Sequence, residues 1–387
     1  MSPEMKTRRS LKKRAEINKV DCFGVVAEFN PFHEGHAYFI DKAREMTGCS
    51  ICAAAMSGDF TQRGEPAIFD KWERAEAAVE HGVDIVAEIP QVFACSSASF
   101  FAKGGVGVLA GLGICDCLAF GSESGDIEKL NECAGYLEEH DEEINKAAAD
   151  LAKGGMSYPK AREAAAGSAG IIVPEDPNDI LAIEYLRQDL RGMSAVAVKR
   201  HGTGHNETAS VIRKEIEDND PDFFAGEQRR LFDLISYRII QEDADELERL
   251  ASAGGGLGYK LKKEIRYVRS VEELIDRVKS KVYTRTRIQR LLTDILLGIH
   301  KSDLTEPGYI RILAMSGRGA EALKTARKKD LCTLPVISNL TKESDMLNDS
   351  QKNMISFDIM AGDVYNIIKH YDLYDHSDFV KSPYIKA

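Results

Sequence analysis

Two histidines separated by two residues, His33 and His36, are the side chains best suited to chemistry in this sequence. Imidazoles can donate hydrogen bonds to phosphate oxygens and carry partial positive charge near neutral pH. Gly35 stands between them, and because it has no Cβ, it lets the backbone approach a ligand closely. This combination indicates a site that stabilises charge on a transferring phosphoryl group. The same spacing also fits a metal-binding pair or a capped helix start, and the residues alone leave these alternatives open.

The segments on either side of the histidines predict the elements that position them. The apolar run at residues 22–27 is typical of a short buried strand,. Asn30-Pro31 cannot continue a strand ladder and favours a turn. Residues 37–46 then have helical spacing of their apolar side chains. A strand–turn–helix junction concentrates backbone N–H groups and a helix dipole at one point, which suits an anion.

The first two hundred residues continue this alternation of strands and helices. Further apolar runs predict strands at residues 50–56, 83–89, 117–120 and 195–198, with helices predicted at 71–81 and 96–112. This order predicts an α/β fold with a doubly wound parallel sheet and right-handed crossovers. Ligands bind at the carboxyl edge of such a sheet, where the polar loop at residues 58–67 also falls.

Four more candidate residues follow predicted strands or breaks. Gly121 ends the fourth strand, and Asn178 follows a proline-rich break as the predicted N-cap of a helix at residues 179–188,. Arg200 and His201 begin a glycine-rich loop after the fifth strand, which forms a second junction suited to an anion. Gly121 and Asn178 also have purely structural interpretations, as a strand end and a helix cap.

Composition excludes several classes of protein. The 387 residues suffice for two domains with substantial cores,. No apolar run reaches the length needed to cross a bilayer, and the polar, basic N-terminus is not a signal peptide, so we expect a cytoplasmic protein without a membrane partner. The eight cysteines suit reduced, packed thiols, and we predict no metal ligands,. The net charge of −11 disfavours indiscriminate RNA binding,.

The nine-residue segment EFNPFHEGH at residues 28–36 resembles the H-x-G-H signature of the nucleotidyltransferase superfamily. The wider sequence is similar to the bacterial tRNA(Met) cytidine acetate ligase family, including SGDFTQRGEPA at 57–67, GSES at 121–124 and PNDIL at 177–181. Residues 208–213 resemble the second superfamily motif, although its usual Ser-Ser-Thr spelling is not kept. The resemblance implies that acetate is activated by ATP as acetyl-adenylate with release of pyrophosphate. The acetyl group then passes to N4 of the anticodon wobble cytidine of elongator tRNA(Met), with release of AMP.

The resemblance also implies roles for particular residues. His33 and His36 would be catalytic, and Mg²⁺ is expected with ATP. The implied ATP-binding residues are Val26, Ala27, Glu28, Phe29, Asn30, Pro31, Phe32, His33, Glu34, Gly35, His36, Ala37, Tyr38 and Phe39, together with Gly121, Asn178, Arg200 and His201.

We predict three parts in this chain. Residues 1–20 form a basic extension, residues 21–218 a nucleotidyltransferase-like ATP-binding domain with a helical insertion at about 126–170, and residues 219–387 a mainly helical C-terminal domain. Lysines, arginines and tyrosines alternate through residues 259–290 of this last part, a pattern that can bind RNA phosphates and stack on unpaired bases,. These cations could equally pair with neighbouring acids inside a helical bundle. Two other functions stay open, a small-molecule nucleotidyltransferase and a non-catalytic, ATP-regulated RNA-binding protein.

Overall fold

A mostly parallel β-sheet organises the chain. The computed structural model describes residues 20–154, 156, 158–168, 173–200 and 209–386. Eight strands lie within these residues: β1 Cys22–Ala27, β2 Ile51–Ser57, β3 Ile85–Ile89, β4 Cys115–Ser122, β5 Ser194–Lys199, β6 Ile310–Ser316, β7 Val336–Ile337 and β8 Tyr384–Lys386. The strand order is β5-β4-β1-β2-β3-β6-β7, and β8 pairs with β6. Only β6 runs antiparallel to a neighbour, at its pairing with β3.

Helices cover both faces of the sheet. Seventeen α-helices lie in the described part of the chain: α1 Glu34–Thr47, α2 Lys71–Glu80, α3 Gln91–Ala94, α4 Ala98–Leu112, α5 Ile127–Glu139, α6 Asp141–Lys153, α7 Tyr158–Ser168, α8 Pro177–Leu186, α9 Ala209–Asn219, α10 Pro221–Gln241, α11 Ala244–Arg249, α12 Leu257–Glu264, α13 Val271–Val278, α14 Arg285–Leu297, α15 Gly317–Lys328, α16 Leu340–Glu343 and α17 Asp349–Lys369. This arrangement confirms the predicted doubly wound α/β fold.

Alternation along the strands divides the core into two layers. Phe23 and Val25 of β1 pack with Ile40 and Ala43 of α1 on one face. The opposite face of β1 meets α4, where a Cβ on Gly105 would lie only 2.6 Å from Val26 Cγ1. Successive strand residues point to opposite faces, so apolar residues at every position indicate a strand buried on both sides. We call these layers the α1 face and the α4 face.

The strand order creates one crevice at the carboxyl edge. From β1 the chain builds β2 and β3 on one side, and then places β4 and β5 on the other. Connections therefore leave the ends of β1 and β4 in opposite directions. In open α/β sheets, ligands bind at such a switch point. The loop that carries both histidines starts at this point.

The C-terminal half contributes strands to the same sheet. A strand near residues 309–315 is expected from its apolar run, but not its position beside β3, because periodicity identifies a strand without naming its partner,. The predicted helix at 96–112 corresponds to α4, and the short α3 precedes it. The predicted domain boundary near residue 219 stays a prediction.

A buried cluster of charges fastens the C-terminal half to the sheet. Lys71 Nζ lies 2.9 Å from carboxylate oxygens of both Glu88 and Asp378. Arg311 Nη1 lies 3.0 Å from Asp378 and 3.3 Å from Glu88. Each of these four side chains is nearly inaccessible to solvent. Buried charges are tolerated when they are paired in this way, so we refer to this group as the buried ion cluster.

Candidate active site

His33 and His36 are held at the start of α1 by reciprocal hydrogen bonds. His33 is the N-cap residue, and its Nδ1 accepts a hydrogen bond from the Gly35 N–H at 3.0 Å. His36 Nδ1 accepts from the His33 N–H at 3.3 Å, and the two ring centroids are 3.9 Å apart. Because each Nδ1 acts as an acceptor, each neutral ring carries its proton on Nε2. Two Nε2–H donors are therefore available to a ligand. A capped helix start, one of the open alternatives, is thus part of the same arrangement.

Both histidines are neutral in the free site. Burial lowers the pKa of His36 to about 3, with smaller contributions from the nearby His33 and Arg200. Burial, followed by the charges of Arg200 and Arg213, also lowers the pKa of His33. The prediction of partly cationic imidazoles near neutral pH is therefore wrong for the free protein. A bound anion would favour the charged form and raise both pKa values.

Gly35 has a role within the chain. A Cβ at this position would lie 2.7 Å from His33 Cε1 and 2.9 Å from His33 Nδ1, closer than packed atoms tolerate. The missing side chain therefore leaves room for the His33 imidazole. Close approach of a ligand to the Gly35 backbone stays a prediction.

The loop before the histidines is fixed from several sides. Asn30 Oδ1 accepts from the Ile68 N–H at 2.8 Å, and the Asn30 carbonyl accepts from Arg213 Nη1 at 2.6 Å. Phe29 is buried, has a positive φ of 47°, and lies 5.0 Å from the His36 ring. The Asn30–Pro31 peptide bond is cis. The other predicted residues of this stretch lie at the end of β1, in the loop that follows and in the first turns of α1: Val26, Ala27, Glu28, Phe32, Glu34, Ala37, Tyr38 and Phe39.

Arg74 of α2 binds the same loop from the protein interior. Sequence analysis did not identify this residue. Its guanidinium donates to the carbonyl of Glu28 at 2.6 Å and to that of Ser57 at 3.2 Å. It also donates to the carbonyls of Gly58 and Phe69. Arg74 is fully buried, so it bridges the carboxyl ends of β1 and β2 from inside the protein. An arginine on the apolar face of a predicted helix is the signal that could have found it.

Arg200 and Gly121 meet beside the histidines. A Cβ on Gly121 would lie 3.7 Å from Arg200 Cγ, so the arginine side chain passes next to the glycine. The Arg200 N–H donates to the Ser122 carbonyl at 2.9 Å, which ties the end of β5 to that of β4. After burial, the Arg200 charge contributes to lowering the pKa of both histidines, so the arginine lies in their neighbourhood. The structure thus brings the histidine pair, Gly121 and Arg200, which were predicted from separate parts of the sequence, to the carboxyl edge of the sheet.

Asn178 lies in the first turn of α8 and is not its N-cap. Asp176 takes that position and Pro177 comes first in the helix, because proline suits a position whose N–H has no partner,. The Asn178 amide donates to Glu123 at 2.5 Å. The neighbouring Asp179, also missed, is buried and accepts from the N–H groups of Glu123 at 3.1 Å and Ser124 at 3.2 Å. These bonds fix the loop that follows β4.

Two predicted regions fall outside the described residues. His201 belongs to residues 201–208, and residues 1–19 of the predicted basic extension at 1–20 are also not described. Their assigned roles stay predictions. Arg213, which follows the first of these regions, lies in α9 and contacts the histidine loop through Asn30.

Many of the C-terminal cations already have partners in this chain. Lys262 Nζ donates to the carbonyls of Ile239 and Ile240 at 2.8 Å. Arg277 pairs with Glu264 at 2.8 Å, so the bundle interpretation accounts for several of these charges. The rings of Tyr259 and Tyr267 are exposed. Contact of this region with RNA stays a prediction.

Among the described residues, one group of potential metal ligands lies at the opposite edge of the sheet. Asp21, Cys49 and Asp116 place their donor atoms within 4.8 Å of one another. Burial raises the pKa of Cys49 to about 11, which disfavours the thiolate that a metal needs,. Within the described chain no helix is long and apolar enough to cross a membrane.

Comparison with known proteins agrees with this geometry. The HIGH Nucleotidyl Transferase family matches residues 20–222 and 208–378, so fold and site together define a nucleotidyltransferase-type protein. A tRNA(Met) cytidine acetate ligase from Caldanaerobacter subterraneus subsp. tengcongensis is 35% identical over 386 residues, covering 90% of this chain and 95% of the relative. A second ligase with this name, from Syntrophotalea carbinolica, is 38% identical over 360 residues, covering 82% of this chain and 85% of the relative. The chain therefore belongs to the tRNA(Met) cytidine acetate ligase family within the HIGH nucleotidyl transferases.

Solved structures show the same architecture. The crystal structure of apo Thermotoga maritima TmcAL superposes with a TM-score of 0.85 at 29% identity, covering 95% of this chain and 99% of that protein. The structure of the same Thermotoga protein bound with alpha-thio ATP gives a TM-score of 0.85 at 30% identity, with the same coverage.

Proposed function

We propose that this protein is an ATP-dependent ligase that activates acetate as acetyl-adenylate and acetylates N4 of the wobble cytidine of elongator tRNA(Met). Its relatives carry the name tRNA(Met) cytidine acetate ligase over nearly the whole chain, and the Thermotoga protein binds an ATP analogue. The observation that carries the proposal is the cluster of His33, His36 and Arg200 at the switch point between β1 and β4. As a tRNA-modifying enzyme it would act in the cytoplasm.

ATP enters as its Mg²⁺ complex and lies across the carboxyl ends of β1 and β4. Its phosphates meet the Nε2–H donors of His33 and His36 and the N-terminus of α1, where the helix dipole favours an anion,. Arg200 adds a full positive charge from the β5 side, and Gly121 leaves space beside it. The stretch 26–39, Asn178 and His201 complete the proposed ATP-binding set.

The first chemical step is attack of an acetate oxygen on the α-phosphorus, with pyrophosphate leaving on the opposite side. The transition state spreads negative charge over the phosphoryl oxygens, so positioned donors and cations do most of the catalytic work. His33 and His36 start neutral and gain proton affinity as this charge arrives. No covalent intermediate on the protein is needed.

The second step transfers the acetyl group to tRNA. The cytidine N4 lone pair is delocalised into the ring, and an activated acyl group is therefore required. The base must leave its stack to reach the crevice, as single-stranded anticodon loops permit. We assign the tRNA contact to the C-terminal helices of residues 219–387, with the 126–170 insertion as a further wall.

The test is to incubate purified protein with ATP, labelled acetate and bulk tRNA, and then to digest the RNA to nucleosides. The expected result is label in N4-acetylcytidine, with AMP and pyrophosphate formed in equal amounts. Label in a small metabolite, or ATP binding without AMP formation, would replace this proposal with one of the two other functions.

A further inference from the structure

Glu28 is a carboxylate at the edge of the proposed ATP site, just before the loop that carries His33. It follows β1 directly and is half-buried. Its Oε1 accepts a hydrogen bond from the Gln62 N–H at 2.6 Å. Within the described residues, its second oxygen has no hydrogen-bond or salt-bridge partner. A carboxylate beside a triphosphate needs an explanation, because like charges repel.

The surroundings of Glu28 place it on the α4 face, away from the histidines. Tyr185 is buried among residues of that face; burial raises its pKa, and the charge of the nearby Glu28 adds to the rise. Arg290 of α14 donates from Nε to the Gln62 carbonyl at 2.9 Å. Glu28 and Arg290 therefore bind the backbone N–H and the backbone carbonyl of Gln62, respectively. His36 lies instead against Phe29, on the α1 face.

The geometry of phosphoryl transfer predicts different roles for the α1 face and the α4 face. Attacking and leaving oxygens lie roughly in line on opposite sides of the phosphorus. If pyrophosphate leaves over the N-terminus of α1, acetate must attack from the opposite side, above the end of β1. The acetyl group of acetyl-adenylate then lies next to Glu28, and the tRNA amine must approach the same position.

Resting on the function proposed above, we propose that the Glu28 carboxylate binds the N4 amine of the acceptor cytidine and takes its proton during acetyl transfer. The nitrogen lone pair forms the N–C bond to the acetyl carbonyl, and the bond from the acetyl carbon to the AMP oxygen breaks. The amine proton passes to Glu28 and then to solvent, and AMP leaves with the electron pair. A positioned base of this kind typically contributes about 10²–10⁴-fold in rate.

The variant that isolates this role is Glu28→Gln. Its amide oxygen can still accept the Gln62 N–H, so the loop keeps its support, but it cannot take a proton. Glu45→Gln is the matched control, because Glu45 is an exposed carboxylate of α1 that pairs with Lys42 at the surface. Both substitutions remove one negative charge.

Three measurements separate the steps: acetate-dependent exchange of pyrophosphate into ATP, trapping of acetyl-adenylate by hydroxylamine, and acetylation of tRNA. Because Glu28 also belongs to the proposed ATP-binding stretch, all three assays are run at saturating ATP. For Glu28→Gln we expect acetyl transfer to fall about 10²–10⁴-fold more than exchange and acetohydroxamate formation do, with tRNA binding unchanged. Glu45→Gln should match the wild type in all assays.

Two outcomes would overturn the role of Glu28. One is wild-type acetyl transfer by Glu28→Gln, and the other is equal loss of exchange and transfer, which would place Glu28 in the first step. A wild-type protein that makes no acetyl-adenylate, or labels no tRNA, would instead contradict the proposed function itself.

Discussion

Two groups of positive charge lie at the carboxyl edge of the sheet, and they treat that charge differently. In the buried ion cluster, Lys71 and Arg311 are matched by carboxylates within 3.5 Å. At the β1–β4 crevice, Arg200 and Arg213 form no salt bridge with any described residue. The cations of the first group are neutralised by paired carboxylates, whereas those of the second remain available to an anion.

The difference teaches how a binding site can be told from a structural cluster in one protein. A compensated cation contributes to folding and presents little field to a ligand. Uncompensated cations make each other's neighbourhood positive, and here that field adds to burial in lowering the pKa of both histidines. Binding of a triphosphate would relieve this repulsion, so part of the affinity is prepared in the free protein.

The largest expected effect comes from breaking the compensated group. Lys71→Met leaves Glu88 and Asp378 buried with one cation fewer, and loss of a buried partner costs about 3–5 kcal/mol of unfolding free energy,. Urea denaturation followed by circular dichroism measures this loss. The control Lys324→Met removes an exposed pair with Glu321 and should change stability by less than about 0.5 kcal/mol,. Similar stability of the two variants would show that the cluster is not structural.

Removing the imidazoles should act on catalysis rather than on folding. His33→Ala and His36→Ala are each expected to slow acetate-dependent pyrophosphate exchange about 10²–10³-fold, because each removes a donor aimed at developing charge. The exposed His370, which ends α17 with a positive φ of 61°, provides the control His370→Asn. Exchange at the wild-type rate in either alanine variant would move the site elsewhere.

Substitution of Arg200 should weaken ATP binding and leave stability nearly unchanged, unlike substitution of Lys71. We expect Arg200→Met to raise the KM for ATP about tenfold, since a charge-assisted hydrogen bond is worth about 1.5–3 kcal/mol. Unfolding free energy should stay within about 0.5 kcal/mol, because the side chain is exposed,. An Arg200→Met variant with lower stability and a normal KM for ATP would show that Arg200 is structural, like the cations of the buried ion cluster.

The smallest effect concerns pH and stability. The folded protein lowers the pKa of His36 to about 3, so below the ordinary value of 6.5 the unfolded chain binds a proton that the folded chain excludes. Stability should therefore fall as the pH drops from about 6.5 towards 3, by about 1 kcal/mol for this residue between pH 7 and 5.5. His36→Asn should lose less stability over this range in urea titrations. Parallel curves for both proteins would contradict a neutral His36 with a lowered pKa.

Sequence analysis reached the sheet and the first junction because both depend on local signals. Apolar runs identify strands, and Asn30-Pro31 followed by His33, Gly35 and His36 marks a turn that opens a helix. The cap of α2 is a local signal of the same kind, because Asp70 directly precedes the helix and accepts from the Glu73 N–H at 2.8 Å.

The residues that were missed depend on distant partners. Three of the four carbonyls that Arg74 binds are 16 or more positions away, and Asp179 binds a loop 55 or more positions earlier. Nothing in the spacing of a single sequence specifies such contacts. The neutral state of the histidines was also out of reach, because burial and the approach of Arg200 arise only when the chain folds.

The central claim is that the β1–β4 crevice binds the triphosphate, and a crystal structure of this protein with alpha-thio ATP tests it directly. The account predicts phosphate oxygens within hydrogen-bond distance of Nε2 of both His33 and His36, with the Arg200 guanidinium beside them. A nucleotide bound elsewhere, with both imidazoles still contacting only the protein, would contradict it.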